Sequence, residues 1–287
     1  MITNLHVIDP KNVGDLYSSP LKYFDFPEYS CKATDIRHFE EEELKDSHII
    51  VGGGGLIFNR FLSEFQTIAA APTKGKRILW GAGYQIYGCN PSRWSKDFDF
   101  SPYLSSFDLV GLRDKGAIYD WVPCPSCMHP AFDKARTPKH DFVVFSHKKY
   151  QIHIPSVPTL SNEENDFEKV LDFLGSGEII LTSSFHGAYW GTLLGRRVLA
   201  FPFSSKFFNL KHPPAFYPVE KWSQSQFKFS LFGKVLHASY YEDKKFSCQT
   251  QNWMQYAHKS PAYPDALENC RAQNRWFYQQ VMNTLND

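Results

Sequence analysis

Short apolar runs recur along the chain, each closed by glycine, a hydroxyl residue or arginine. In the first half they are Leu5-His6-Val7-Ile8, His48-Ile49-Ile50-Val51, Arg77-Ile78-Leu79-Trp80 and Leu109-Val110-Gly111-Leu112. The last three end in Gly52 to Gly55, Gly81-Ala82-Gly83 and Arg113-Asp114. Runs this brief, apolar and bounded by glycine predict buried parallel strands. Phe61, Leu62, Phe65 and Ile68 recur at helical spacing and predict a helix over Arg60–Ala71. A short helix is expected over Asp114–Trp121. In the second half, strands are expected at Phe142–Phe145, Glu178–Leu181 and Arg197–Phe201. Helices are expected at Asn165–Leu174, where Phe167, Val170, Leu171 and Leu174 share a face, and at Ala188–Leu194. Beyond residue 215 the pattern turns irregular and aromatic until a closing helix at Asp265–Leu285.

Alternating strands and helices imply an α/β fold, with parallel sheets covered by helices on both faces. Residues 133–141 are polar and rich in Lys, Arg, Thr and Pro, as linkers are. Two Rossmann-like domains are therefore expected, 1–132 and 141–287, facing a central cleft. Ligands of such sheets bind beyond the carboxyl ends of the strands.

Apolar residues form 43% of the 287 and charged residues 21%, a globular composition. Lys and Arg total 31 against 30 Asp and Glu, which argues against a nucleic-acid binder. No apolar run approaches the roughly 20 residues of a spanning helix, and the N-terminus lacks a signal-peptide pattern. Six cysteines do not make a disulfide scaffold. A reduced, cytoplasmic protein is expected, with peripheral membrane association left open. Aromatic residues reach 16%, and such side chains enlarge cores and also line sugar sites.

The most informative segment runs from Ile179 through Thr182-Ser183-Ser184-Phe185-His186-Gly187 to Gly191. A strand passes through small hydroxyl residues into a helix whose free N–H groups favour an anion such as phosphate. Ser183, Ser184 and Gly187 are candidate phosphate contacts. His186 is a candidate proton donor, or a phosphate partner if protonated. The competing reading is a capping pair, Ser183 and Ser184, beside a structural histidine. Gly52 to Gly55, with Gly53 and Gly54 at their centre, suggest close approach of backbone to a ligand or to the other domain; a tight turn is the alternative. In Asn12-Val13-Gly14-Asp15 a loop presents Asn12 and a possible carboxylate base, Asp15, or forms an ordinary turn. Arg113 suits phosphate or carboxylate recognition through its planar fork, or forms a surface ion pair. Lys206 adds positive charge beyond another strand, or is a solvated loop lysine. Cys124-Pro125-Ser126-Cys127 has C-x-x-C spacing with His129 nearby. Cys248, His258 and Cys270 could complete a metal set, but no spacing demands it. No metal or cofactor is expected.

Taken together, Asn12 to Asp15, Val51 to Leu56, Gly81 to Gly83, Leu112 to Asp114, Ser183 to Gly187 and Pro202 to Lys206 resemble the polysaccharide pyruvyl transferase family. The resemblance spans roughly residues 1–210. It implies a GT-B-like fold and transfer of a carboxyethylidene group from phosphoenolpyruvate to a sugar of a surface glycan or its lipid-linked precursor. His186 and Gly187 match the His-Gly of the family's Arg-x-His-Gly element, and Arg113 and Lys206 match its other cations. On this reading His186 is the acid/base and Asp15 activates a hydroxyl. Arg113, Ser183, Ser184, Gly187 and Lys206 hold the donor, and Asn12, Gly53 and Gly54 border the acceptor. Two positions depart from the pattern. Ser184 stands where the family has arginine, so Arg196, Arg197 or Lys206 is expected to substitute, or the donor differs. His129 stands where the family often has Asp. The alternatives are a GT-B glycosyltransferase using a nucleotide-activated sugar and an inactive glycan-binding relative. The aromatic tail (Trp222, Phe227, Tyr240, Tyr241, Trp253) serves sugar stacking or fills a core.

Overall fold

The computed structural model describes residues 1–88, 99–116, 118–224, 228–231, 234–238 and 245–287. Seven strands form a first sheet: β1 (Ile2–His6), β2 (Cys31–Asp35), β3 (His48–Val51), β4 (Gly54–Ile57), β5 (Arg77–Tyr84), β6 (Leu109–Leu112) and β7 (Asp120–Trp121). Their order is β2-β1-β3-β5-β6-β7, with β4 also on β5, and every pairing is parallel. The second sheet holds β8 (His140–Ser146), β10 (Thr159–Ser161), β11 (Gly177–Thr182), β12 (Arg197–Ala200) and β13 (Ala215–Phe216). Its order is β10-β8-β11-β12-β13, again all parallel. Short β9 (Tyr150–Gln151), β14 (Ser223–Gln224) and β17 (Phe246–Ser247) form a third sheet, and β15 (Lys228–Leu231) pairs with β16 (Lys234–Ala238). The helices are α1 (Val13–Leu16), α2 (Leu62–Ala70), α3 (Ser101–Leu104), α4 (Phe167–Gly175), α5 (Phe185–Leu193), α6 (Trp253–Ala257) and α7 (Ala266–Asn286).

Alternating side chains explain why both main sheets are apolar on both faces. In the first, Ile49, Val51 and Leu79 pack with Phe65 and Ile68 of α2, while Ile50, Ile78 and Trp80 pack with Phe277, Val281 and Leu285 of α7. In the second, Val143, Phe145 and Ile180 meet α4 and α5, while Val144, Ile179 and Leu181 meet Trp253 and Ala257 of α6. The closing helix thus lies against the first sheet. Trp80 Nε1 donates to Asn274 Oδ1 at 2.9 Å, tying α7 to β5.

The seven expected strands and the long helices all form, with ends shifted by a few residues. The expected helix over Asp114–Trp121 does not form. Gly116 takes a positive φ of 86°, and the chain turns there before pairing β7 with β6. The edge strand β2 was not foreseen because Cys31-Lys32-Ala33-Thr34-Asp35 lacks the apolar run of its buried neighbours. Among the described residues, no helix is long and apolar enough to cross a membrane.

Candidate active site

Parallel pairing puts all carboxyl ends of a sheet at one edge, and here the edges of both main sheets line a single cavity of about 260 Å³. The segments after β1, β5, β6, β8, β10, β11 and β12 contribute Asn12 and Asp15, Gln85, Arg113, His147 and Lys148, Asn162, Ser184 and His186, and Lys206. Arg37, Lys149, Asp9, Gly55, Phe58 and Tyr87 complete much of the wall.

Several bonds join the two edges. Lys148 Nζ pairs with Asp9 Oδ2 at 2.6 Å. Asn162 Nδ2 donates to Asn12 Oδ1 at 2.8 Å, and Asn12 Nδ2 donates to Asp15 Oδ2 at 2.6 Å. Tyr87 bridges to Ser204 antiparallel, Ile86 N–H donates to Ser205 Oγ at 2.9 Å, and Ser205 N–H to Ile86 O at 2.8 Å. These bonds hold Lys206, two residues past Ser204, against the first sheet.

His186 lies in the first turn of α5, one residue inside the helix rather than before it. It is 7% exposed, with its ring against Trp190 and its Nε2 3.6 Å from Cys124 Sγ. A Cβ on Gly14 would fall 2.0 Å from His186 Nδ1, so glycine in α1 is what admits the imidazole. Burial, then the charges of Arg113 and Lys206, hold this imidazole well below its ordinary value, and it rests neutral. That is contrary to a resting cation at this position.

Arg113 is 5% exposed, and its Nε and Nη2 meet no acceptor in the described protein. Its guanidinium sits 3.8 Å above the Phe185 ring. The adjacent Asp114 turns instead to the Tyr84 N–H, at 2.9 Å. Among the described residues Arg113 makes no ion pair, which was the alternative reading, and burial lowers its value. Gly55 makes room here too: a Cβ would fall 2.7 Å from Gln85 Oε1 and 3.2 Å from Arg113 Nη2.

Asp15 faces the cavity and keeps some solvent contact, but protein surrounds it. Burial pushes its carboxyl up to about 6, against the opposing charge of Lys206. Burial, then Arg113, brings Lys206 down to about 7, with Asp15 opposing. The Lys206 ammonium lies 4.6 Å from the Phe203 ring centre. Two groups that titrate near neutrality therefore share one cavity.

Not every expected residue faces it. Ser183 is fully buried, its Oγ accepting the His147 N–H at 2.9 Å and donating to Tyr150 O, which secures the end of β8. Gly187 gives its N–H to Ser184 Oγ at 3.3 Å, so Ser184 caps α5 while bordering the cavity. Gly187 itself lies behind, where a Cβ would strike Thr182 and Phe145. Gly53 bonds Ser18 O, and Gly55, not Gly53 or Gly54, forms the lining. Arg196 bonds Arg136 O and Gly175 O, and Arg197 pairs with Glu178 at 3.5 Å. Neither reaches the cavity, and of the three expected substitutes for the missing arginine only Lys206 does. His129 accepts the Ala131 N–H at 3.1 Å and packs on Phe167, a structural role. Cys127 accepts from Asn274 Nδ2 at 3.3 Å, and Cys124 accepts from Ser126 Oγ at 3.2 Å. Trp253 is buried in the core, and Trp222, half-buried with its indole N–H on Pro202 O, does not line the cavity; Phe227, Tyr240 and Tyr241 lie outside the described residues.

The sequence reading omits Asp9, Gln85, His147, Lys148 and Asn162. The first four directly follow strands, and the carboxyl-end rule applied to every strand would have found them. Asn162 follows a three-residue edge strand with no apolar run to announce it.

Among curated proteins, none matches this sequence at a significant level. The crystal structure of a functionally uncharacterized protein from Klebsiella pneumoniae subsp. pneumoniae is similar at 16% identity and a TM-score of 0.42, over 70% of this chain and 83% of that one. The family model for polysaccharide pyruvyl transferase matches residues 2–205, which hold β1 to β12 and nearly every strand end of the cavity. With most of its length matched, this chain belongs to the polysaccharide pyruvyl transferase family and is a transferase.

Proposed function

We propose that the enzyme moves a carboxyethylidene group from phosphoenolpyruvate to two hydroxyls of a sugar, in a surface polysaccharide or its lipid-linked precursor. Arg113 carries the reading. A buried guanidinium with two unpartnered nitrogens, next to Lys206, suits a small ligand with closely spaced phosphate and carboxylate groups. With Ser184 in place of the family's arginine, Arg113 and Lys206 serve as the cations of the donor site, since Arg37 and Lys148 on the same wall are paired with Asp35 and Asp9.

The chemistry needs an acid, a base and neutralisation of phosphate. A proton goes to the methylene carbon of phosphoenolpyruvate, leaving an oxocarbenium-like centre at the next carbon. One sugar hydroxyl adds there and gives up its proton. The second hydroxyl displaces inorganic phosphate, which carries the second proton away, and the ketal closes. Asp15, at about 6, is the better acid, since a bound anion nearby favours its protonated form. His186, resting neutral, suits the base that takes the proton of the attacking hydroxyl. This exchanges the roles expected from the sequence. Arg113 and Lys206 offset the charge of the departing phosphate.

The same reading assigns residues 1–132 to the acceptor side and 141–287 to the donor side of a GT-B-like pair, although Arg113 serves the donor from the first. A cytoplasmic location follows from the donor. The test is thermal stability with phosphoenolpyruvate and, separately, a panel of nucleotides and nucleotide sugars. A ligand at 100 times its dissociation constant stabilises by about 2.7 kcal/mol. Stabilisation by phosphoenolpyruvate is expected. Stabilisation by nucleotides alone would overturn the donor assignment in favour of a nucleotide-sugar glycosyltransferase.

A further inference from the structure

The cavity lining divides into a charged set and an aromatic set. Phe58, Phe61 and Tyr87 form the second. Phe58 meets Phe61 edge to face at 5.4 Å and Tyr87 at 6.0 Å. Phe61 is buried and Phe58 half-buried, yet Tyr87 is 56% exposed. Tyr87 is not a lone exposed side chain: with Phe58 and Phe61 it makes a contiguous apolar patch on the cavity wall, and such patches mark binding surfaces.

Tyr87 is not on a loose loop. Its backbone bridges to Ser204, and the neighbouring Ile86 and Gly88 bond Ser205 and Phe203. Its ring lies near Phe203, centroids 6.1 Å apart at 25°. Phe203 stacks on Tyr150 at 3.9 Å and 4°, and Tyr150 stacks on Phe246 at 5.3 Å and 18°. Tyr87 is thus the exposed end of a ladder of rings, and it lies two residues beyond Gln85, which lines the same cavity. Gln85 is buried beside Gly55, on the floor that also holds Arg113.

This arrangement does not suit the donor, because the negative face of an aromatic ring repels a phosphate or carboxylate. It does suit a pyranose, whose axial C–H groups make an apolar face rimmed by hydroxyls. We infer that Tyr87, with Phe58 beside it, is the platform on which the acceptor pyranose stacks, its hydroxyls reaching the Gln85 amide and the Asp15 carboxyl. The inference rests on the transferase reading for its substrate class and adds the residues that select the acceptor. Tyr87 acts by binding and takes no part in proton transfer.

Saturation-transfer NMR tests it, using methyl galactoside, methyl glucoside and methyl mannoside as probes, each with and without phosphoenolpyruvate. Wild type is expected to transfer magnetisation to ring C–H protons of at least one probe. Tyr87→Ala is expected to weaken that binding about tenfold, the size of one lost aromatic contact, whereas Tyr87→Phe retains it. The stabilisation by phosphoenolpyruvate should be the same in all three proteins. Absence of transfer from every probe, an unchanged signal in Tyr87→Ala, or an equal loss of phosphoenolpyruvate binding in that variant would each overturn the platform. Sugar binding that depends on Tyr87, with no response to phosphoenolpyruvate, would leave the platform standing and remove the donor assignment instead.

Discussion

Asn162 and Asn12 meet side chain to side chain at 2.8 Å, and they come from different sheets. Asn162 is 2% exposed and has each of its polar groups engaged. Its Nδ2 donates to Asn12, its Oδ1 accepts the Lys148 N–H at 2.6 Å, and its backbone oxygen accepts the Val13 N–H at 3.0 Å. Asn12 in turn grips Asp15 at 2.6 Å. A residue of the second sheet therefore orients the carboxylate of the first.

Asn162→Ala should cost about 1–3 kcal/mol of stability, because Asn12 Oδ1 and the Lys148 N–H lose a buried partner. Turnover should fall roughly tenfold to a hundredfold as Asp15 loses its fixed direction. The decisive measurement is the pH profile of the remaining activity. A carboxylate gripped less firmly holds its proton more tightly, so the alkaline limb, which Asp15 sets as the acid, should move upward. An unchanged limb beside lowered stability would make Asn162 purely structural.

Arg113→Met separates function from folding. Removing a buried cation whose Nε and Nη2 meet no acceptor among the described residues relieves a desolvation cost, and Met keeps an apolar contact with Phe185, so denaturant unfolding of the ligand-free variant should show equal or higher stability. Stabilisation by phosphoenolpyruvate should disappear. Lower stability with an intact ligand response would show that Arg113 serves the fold.

How far these features were legible follows from where the signal lies. Val51, Leu79 and Leu112 announce their strands through apolar runs, and parallel pairing then places Arg113 and the approach to His186 at one edge. Glycine and hydroxyl residues are less readable. Ser183 and Ser184 are adjacent and alike in sequence, yet one faces β8 and the other caps α5 beside the cavity. Electrostatic state was the least legible. Whether His186 is charged depends first on its burial and then on Arg113 and Lys206, which approach it only through the fold. The aromatic surplus is visible in composition, but composition does not tell the tail's rings from Phe58 and Tyr87 of the first half, which line the cavity.

Donor binding should take up protons at pH 7. Asp15 at about 6 and Lys206 at about 7 are both partly deprotonated there. An arriving phosphate and carboxylate favour the protonated form of each. Calorimetry of phosphoenolpyruvate binding in buffers of different ionisation enthalpy should show net uptake, reduced in Lys206→Met and in Asp15→Asn. The ligand-free protein supplies a second check. The folded value of Asp15 lies above its unfolded value, so its stabilising contribution is complete below about 3.8 and is lost as pH rises through about 6. Relative to wild type, Asp15→Asn should therefore gain stability across that window. Lys206 has the opposite sign: its folded value lies below 10.5, and its contribution is lost as pH falls through about 7.

Gly14→Ala tests whether α1 and His186 are matched in shape. The added methyl would sit 2.0 Å from His186 Nδ1, inside any permitted contact, so either the helix or the imidazole must move. Trp190 and Cys124 already confine the ring on other sides, which leaves α1 as the element that yields. Overpacking of this kind typically costs about 1–3 kcal/mol. The loss of activity should exceed what that cost implies, because α1 also carries Asp15, and a shift of about 1 Å can cost a hundredfold in rate. Thermal unfolding alongside single-turnover rates would compare the two effects. A variant that loses stability yet keeps its single-turnover rate would show that the Asp15–His186 geometry is not what the reaction needs, and would remove both residues from the proposed proton transfers.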